Sequence, residues 1–155
     1  MMLTKRQKDG VLAFFLGFMI IFFGDRLLGV HLELFHGLST FGFAWFLDVF
    51  ILPFFAGFCV AIVFGMGGKW LCYFPPFAVR LLSYYLFAAN YWQVPPEHHL
   101  MPKGWWGFFV ILTIEAAAFG GIIGEVYVKS TYGRRPKAML YRKSGQIQVE
   151  AEDEK

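Results

Sequence analysis

The chain has 155 residues, of which 57% are hydrophobic and 21% aromatic, and its mean hydropathy is +0.52. A soluble domain is only about 45 to 50% apolar, so a free-standing water-soluble fold is excluded and the excess must face lipid or other subunits. The net charge of +3 says little as a total, and more through its distribution.

Lys5, Arg6 and Lys8 precede an apolar block from Val11 to about Val30. Signal peptides open in the same way, but this block exceeds their core of roughly 7 to 15 apolar residues and no small-x-small site follows. It is read as a retained first span. Asp25 and Arg26 mark its far end, where adjacent side chains diverge and each can snorkel to the headgroups.

The second block, Phe41 to Phe64, and the last, Trp106 to Val128, each have the roughly 20 residues that cross a bilayer core. Leu71 to Trp92 is ambiguous: Pro75 and Pro76 interrupt it, Arg80 is charged, and Ser83, Tyr84 and Tyr85 dilute its hydrophobicity. Loop charge decides, because Lys and Arg gather in cytoplasmic loops. With four spans, Lys5, Arg6, Lys8, Lys69 and the tail from Lys129 to Lys143 share one side, leaving mainly Lys103 outside. Three spans would put the basic head and basic tail on opposite sides. The sequence therefore predicts an all-α membrane protein: a four-helix transmembrane domain over residues 1–128, with spans at about 11–30, 41–64, 74–92 and 106–128, short outer loops, and both termini cytoplasmic. A basic, then acidic, partly disordered cytoplasmic tail over 129–155 completes it.

On that topology His31, Glu33 and His36 fall in the first outer loop, and Glu97, His98, His99 and Met101 in the second. Imidazole, carboxylate and thioether are ligands for zinc or copper, and two loops at the mouth of a four-helix bundle can meet. A metal site from His31, His36, His98, His99, Glu33 and Glu97 is thus geometrically open, beside the plainer reading of wet interfacial histidines. The spacing is unspecific: His31 and His36 are five apart, not the four that aligns ligands on one helical turn, and adjacent His98 and His99 point apart in most backbones. Haem ligation would draw on histidines inside the spans, and none is there.

Asp48 in the second span and Glu115 in the fourth are carboxylates at membrane depth, where a charge costs roughly 2.5 to 3.5 kcal/mol on insertion scales. Such residues usually face the bundle interior or a water path. Together with Arg80 they form a candidate intramembrane polar site, to be weighed against simple polar glue between helices. Arg80 is expected to turn toward Glu125 or the tail interface, because reaching Asp48 would need roughly 10 Å or more along the membrane normal. Pro53 leaves the Val49 carbonyl without its helical donor and should bend the second helix.

Small residues recur four apart at Ala13 and Gly17, at Gly57, Ala61 and Gly65, and at Ala116, Gly120 and Gly124, a pattern that permits close helix approach. The first, second and fourth helices are therefore expected to form the core, with the third peripheral. Trp92, Trp105 and Trp106 on one side and Trp70 on the other read as an interfacial belt. Glu125 and Lys129 have the spacing and order of a helical ion pair.

Cys59 and Cys72 are not positioned for an outer-loop disulfide and form no CxxC, which argues against disulfide-generating enzymes. No hydrolase signature or nucleotide loop occurs, and an enzyme acting alone is not expected. The tail residues Arg134, Arg135, Lys137, Arg142 and Lys143 suit adhesion to anionic headgroups at about 1 kcal/mol per charge. A hairpin over Ala138 to Val149 that docks a cytoplasmic protein is the alternative. Nucleic acid is not expected as a partner, since topology alone selects this basic run.

The motifs of small multidrug transporters, fluoride channels and small subunits of binding-protein-dependent transporters are absent. The partners expected are the lipid bilayer and other membrane subunits or further copies of the chain. These observations point to an accessory or structural subunit of a larger membrane complex, with a small transporter or channel lined by Asp48 and Glu115 as the alternative. The short loops and lack of sorting signals suggest a bacterial inner membrane.

Overall fold

Long apolar runs free of internal proline wind into two extended helices, α1 over Lys5–Leu28 and α6 over Lys103–Tyr132, in the computed structural model, which describes residues 5–132. Between them lies a third long helix, Phe43–Phe64, built from α2 (Phe43–Phe46), a π-helical turn (Leu47–Ile51) and α3 (Leu52–Phe64). Among the described residues, these three are the helices long and apolar enough to cross a bilayer. The chain belongs to the all-α membrane class.

The π turn answers the proline. Pro53 has no N–H for the Val49 carbonyl, and the turn before it widens so that the Leu52 amide donates to the Leu47 carbonyl, five residues back. The structure thus accommodates Pro53 in a π turn, one of the few arrangements that absorbs a broken ladder within a helix. Gly65, at φ +82°, then ends α3 in a conformation that a side chain would strain.

A single turn, α4 (Gly68–Leu71), leads to α5 (Phe74–Ala88). Pro75 and Pro76 stand in the first turn of α5, where their missing N–H groups have no helical partner to lose. They begin this helix instead of interrupting it. At 1.5 Å per residue, the 15 residues of α5 span roughly 22 Å, short of a hydrocarbon core of about 30 Å. The expected third span, 74–92, is thus four residues shorter at its far end.

Two short strands, β1 (Leu34–Phe35) and β2 (His99–Leu100), pair antiparallel with Leu34 opposite Leu100 and Phe35 opposite His99. The Met101 amide extends the junction by donating to the Glu33 carbonyl at 2.8 Å. The segment after α1 is thereby joined to the segment before α6, which defines a loop end of the bundle. Phe43–Phe64 leads away from that end, and α5 carries the chain back.

α3 is the central helix, packed on α1 and α6, while α5 lies against both α1 and α6. The α3–α6 contact is close because of glycine. A methyl on Gly57 would strike the Ala117 carbonyl, one on Gly120 would strike the Phe54 carbonyl, and one on Gly124 would lie 2.8 Å from the Phe58 carbonyl. A methyl on Gly17 of α1 would lie 2.6 Å from a Val60 methyl. The small-residue pattern thus marks real helix contacts, except at Gly65, where there is open space.

Buried side chains form three layers. Ala13, Val60, Ala61 and Cys72 fill the end opposite the loops; Ile21, Ala56 and Val79 the middle; and Leu32, Val49, Met101, Phe109 and Val110 the loop end. Asp25 lies one turn beyond Ile21, Arg80 follows Val79, and Asp48 precedes Val49. The charged groups therefore lie between the middle and loop-end layers.

Candidate functional site

The site begins with an arginine that has no route to water. Arg80, on the face of α5 turned into the bundle, is 0% exposed. Its guanidinium donates to both carboxylate oxygens of Asp25 on α1, from Nη1 at 3.0 Å and from Nη2 at 3.2 Å, and Nη2 donates to Asp48 Oδ2 at 2.8 Å. Glu33, just before β1, brings Oε1 to 3.7 Å from Nη1, within ion-pair range but beyond a hydrogen bond. One guanidinium thus ties together α1, the π turn of the second helix, α5 and the first loop. The fork of donors that arginine alone provides makes this three-sided contact possible.

Charge does not balance within the cluster. One guanidinium faces three carboxyl groups, and all of Arg80, Asp48 and Glu33 are fully buried, with Asp25 at 5% exposure. Both oxygens of Glu33, Asp48 Oδ1 and Arg80 Nε lack a hydrogen-bond partner. Burial pushes the Glu33 carboxyl up to about 7 against the opposing pull of Arg80, so its neutral form is favoured well into the range where a free carboxyl is ionised.

Two sequence expectations are corrected here. Arg80 does not turn toward Glu125, which instead pairs with Lys129 at 3.1 Å, the expected helical ion pair. Arg80 comes within reach of Asp48 because α5 stops at Ala88. Counted from the loop end, Arg80 lies eight residues and Asp48 five residues in, a difference of about 5 Å at the helical rise, which an arginine side chain can span. Nor is the third helix peripheral, since α5 supplies the central cation.

Asp25 likewise does not snorkel. It continues the buried row Ala13, Gly17, Ile21 at steps of four, and that spacing was the signal available to find it. Arg26, one residue on, does stay outside, with its guanidinium over the Phe22 and Trp92 rings at 4.7 and 5.0 Å. Glu33 gave no comparable local signal, because its burial depends on the loop folding over the bundle.

Glu115 is not part of the cluster. It is exposed on α6, within about 4 Å of the helix midpoint by the helical rise, and it makes no hydrogen bond or ion pair among the described residues. Of the three residues expected to form an intramembrane polar site, Asp48 and Arg80 meet, and Glu115 points outward.

The outer-loop donors are divided. His36 and His98 stack with ring centroids 4.6 Å apart, and His36 Nδ1 lies 2.7 Å from the Glu97 carbonyl oxygen. His31 sits apart, against the rings of Phe87 and Trp92, where burial pushes its imidazole below the ordinary value. His99 and the Glu97 side chain are exposed, and Glu33 belongs to the arginine cluster. Among the described residues no three His, Cys, Asp or Glu side chains converge to hold a metal ion. The basic residues Arg134, Arg135, Lys137, Arg142 and Lys143 lie outside the described residues.

Among the described residues, cavities open near the loop end. One of about 540 Å³ is walled by Arg26, His31, Phe87, Tyr91 and Trp92; one of about 460 Å³ by Gly104, Trp105 and Phe108; and an apolar one of about 320 Å³ by Phe35, Phe41, Met101, Trp105 and Phe109. None is lined by Asp25, Glu33, Asp48 or Arg80. Comparison of the chain with protein-family models, curated proteins and solved structures finds no match.

Proposed function

We propose that the chain is a four-span integral membrane protein with both termini cytoplasmic, acting as an accessory or structural subunit of a larger membrane assembly. The observation that carries this reading is the division of the intramembrane charges, with Asp25, Asp48 and Arg80 closed on one another inside the bundle and Glu115 turned outward. Arg80 is sealed among Asp25, Asp48 and Glu33, which suits a lock between helices better than a path lined by carboxylates. A transport route using Asp48 and Glu115 together would need both to face one passage, whereas one is buried and the other exposed. The pairing of β1 with β2 favours α5 as the fourth span, because it returns the chain to the end where α6 begins. The Lys and Arg distribution then favours cytoplasmic termini, and a bacterial inner membrane fits the short loops.

Removing the chain from its own membranes tests the reading. One other membrane complex is expected to lose abundance or mobility on native gels, and the wild-type chain should restore it. Asp48→Asn should restore it only to the extent that the variant accumulates. An unchanged pattern of complexes after removal would contradict a subunit role.

A further inference from the structure

α6 carries a seam that none of the described residues covers. Phe108, Ile111, Glu115, Phe119 and Ile122 follow one another at steps of three and four, and all are exposed. Helical spacing of this kind sets them on one face. A row of large apolar side chains alone would be satisfied by lipid. The carboxyl at its centre is not, because an ionisable group at membrane depth ordinarily faces a partner or a water-filled cavity.

Among the described residues, a second copy offers no basic side chain at the depth of Glu115. The exposed basic side chains of the described residues, Arg6, Lys8, Arg26, Lys69, Lys103 and Lys129, all stand at or near helix ends. Lys103 and Lys129 are 12 and 14 residues from Glu115 on α6, about 18 and 21 Å along the axis. Arg80, at membrane depth, is sealed inside the bundle. Charge complementarity therefore calls for a different chain.

We propose that this seam of α6 docks a transmembrane helix of another membrane protein, one with a lysine, arginine or histidine in its apolar stretch opposite Glu115. The inference rests on the subunit reading and adds to it the docking face and the chemistry of the partner.

The test uses the full chain in its own membranes with a photoreactive amino acid at Ile111 or Phe119, and for comparison at Phe15 or Phe23 on the exposed side of α1. The seam positions are expected to cross-link to one other protein, through a peptide from an apolar segment that contains a basic residue. Glu115→Leu and Glu115→Gln should each lower that cross-link about tenfold, the scale of a well-formed interhelical polar contact in a membrane. Because Glu115 is on the surface, both variants should unfold at the wild-type temperature. Cross-links from the seam only to lipid or to a second copy, or to a segment without a basic residue, would overturn the proposal. A partner captured from α1 alone would overturn this docking face while leaving the subunit reading in place, and no partner from any position would remove both.

Discussion

At the scale of single residues, Arg80 is the group on which the fold depends. Deleting one side of a buried ion pair leaves uncompensated charge and costs about 3 to 5 kcal/mol; three carboxyl groups lose their cation in Arg80→Met. That variant is expected to lose stability by at least this amount, and Arg80→Lys to recover only part of it, because an ammonium lacks the fork that engages Asp25 and Asp48 at once. Thermal unfolding in detergent measures both. Glu33 contributes to the pH response. Its folded carboxyl titrates near 7 against an ordinary 4.5, so the unfolded chain gives up that proton first, and the stability contributed is full below the ordinary value and lost as pH rises to about 7. His31 runs the opposite way: burial lowers its imidazole below 6.5, and stability falls as acid forces the proton on. Glu33→Gln is expected to reduce the loss on the alkaline side and keep that on the acid side, in melting temperatures taken from about pH 5 to 8. An unaltered alkaline slope would contradict this account of Glu33.

At the scale of elements, the junction of β1 and β2 decides how the helices are ordered. Phe35 and His99 are directly opposed and both exposed, and opposed Cα atoms in an antiparallel pair are about 4.5 to 5.5 Å apart, within disulfide range. The pair Phe35→Cys with His99→Cys should cross-link on oxidation, detected as a mobility shift, whereas Leu38→Cys with His99→Cys should not. Equal cross-linking of the two pairs would contradict the register. The long helices were legible in the sequence because length and hydropathy are local properties: α1, Phe43–Phe64 and α6 overlap the expected first, second and fourth spans. The small-residue rows likewise announced the α3–α6 seam. The end of α5 at Ala88 was marked in the sequence only by Asn90, which takes φ +58° just beyond it, within a stretch whose other residues to Trp92 are apolar or aromatic. The π turn was not legible, since it arises from where Pro53 falls relative to helices packed on both sides.

At the scale of the whole molecule, membrane class follows from composition, but the charge cluster needed the assembled fold. Asp25, Asp48 and Arg80 come from three helices and Glu33 from a loop, separated by as many as 55 positions in sequence. Their meeting depends on helix lengths that hydropathy does not resolve. Asp48 and Glu115 looked equivalent as acids in apolar runs; their opposite orientations separate an internal lock from an outward-facing seam. That division is the basis for reading the chain as part of something larger. The most direct test is native mass spectrometry of the complex extracted gently from its own membranes. The account expects this chain in fixed stoichiometry with at least one different membrane protein. A monomer or a homo-oligomer as the sole species would contradict it.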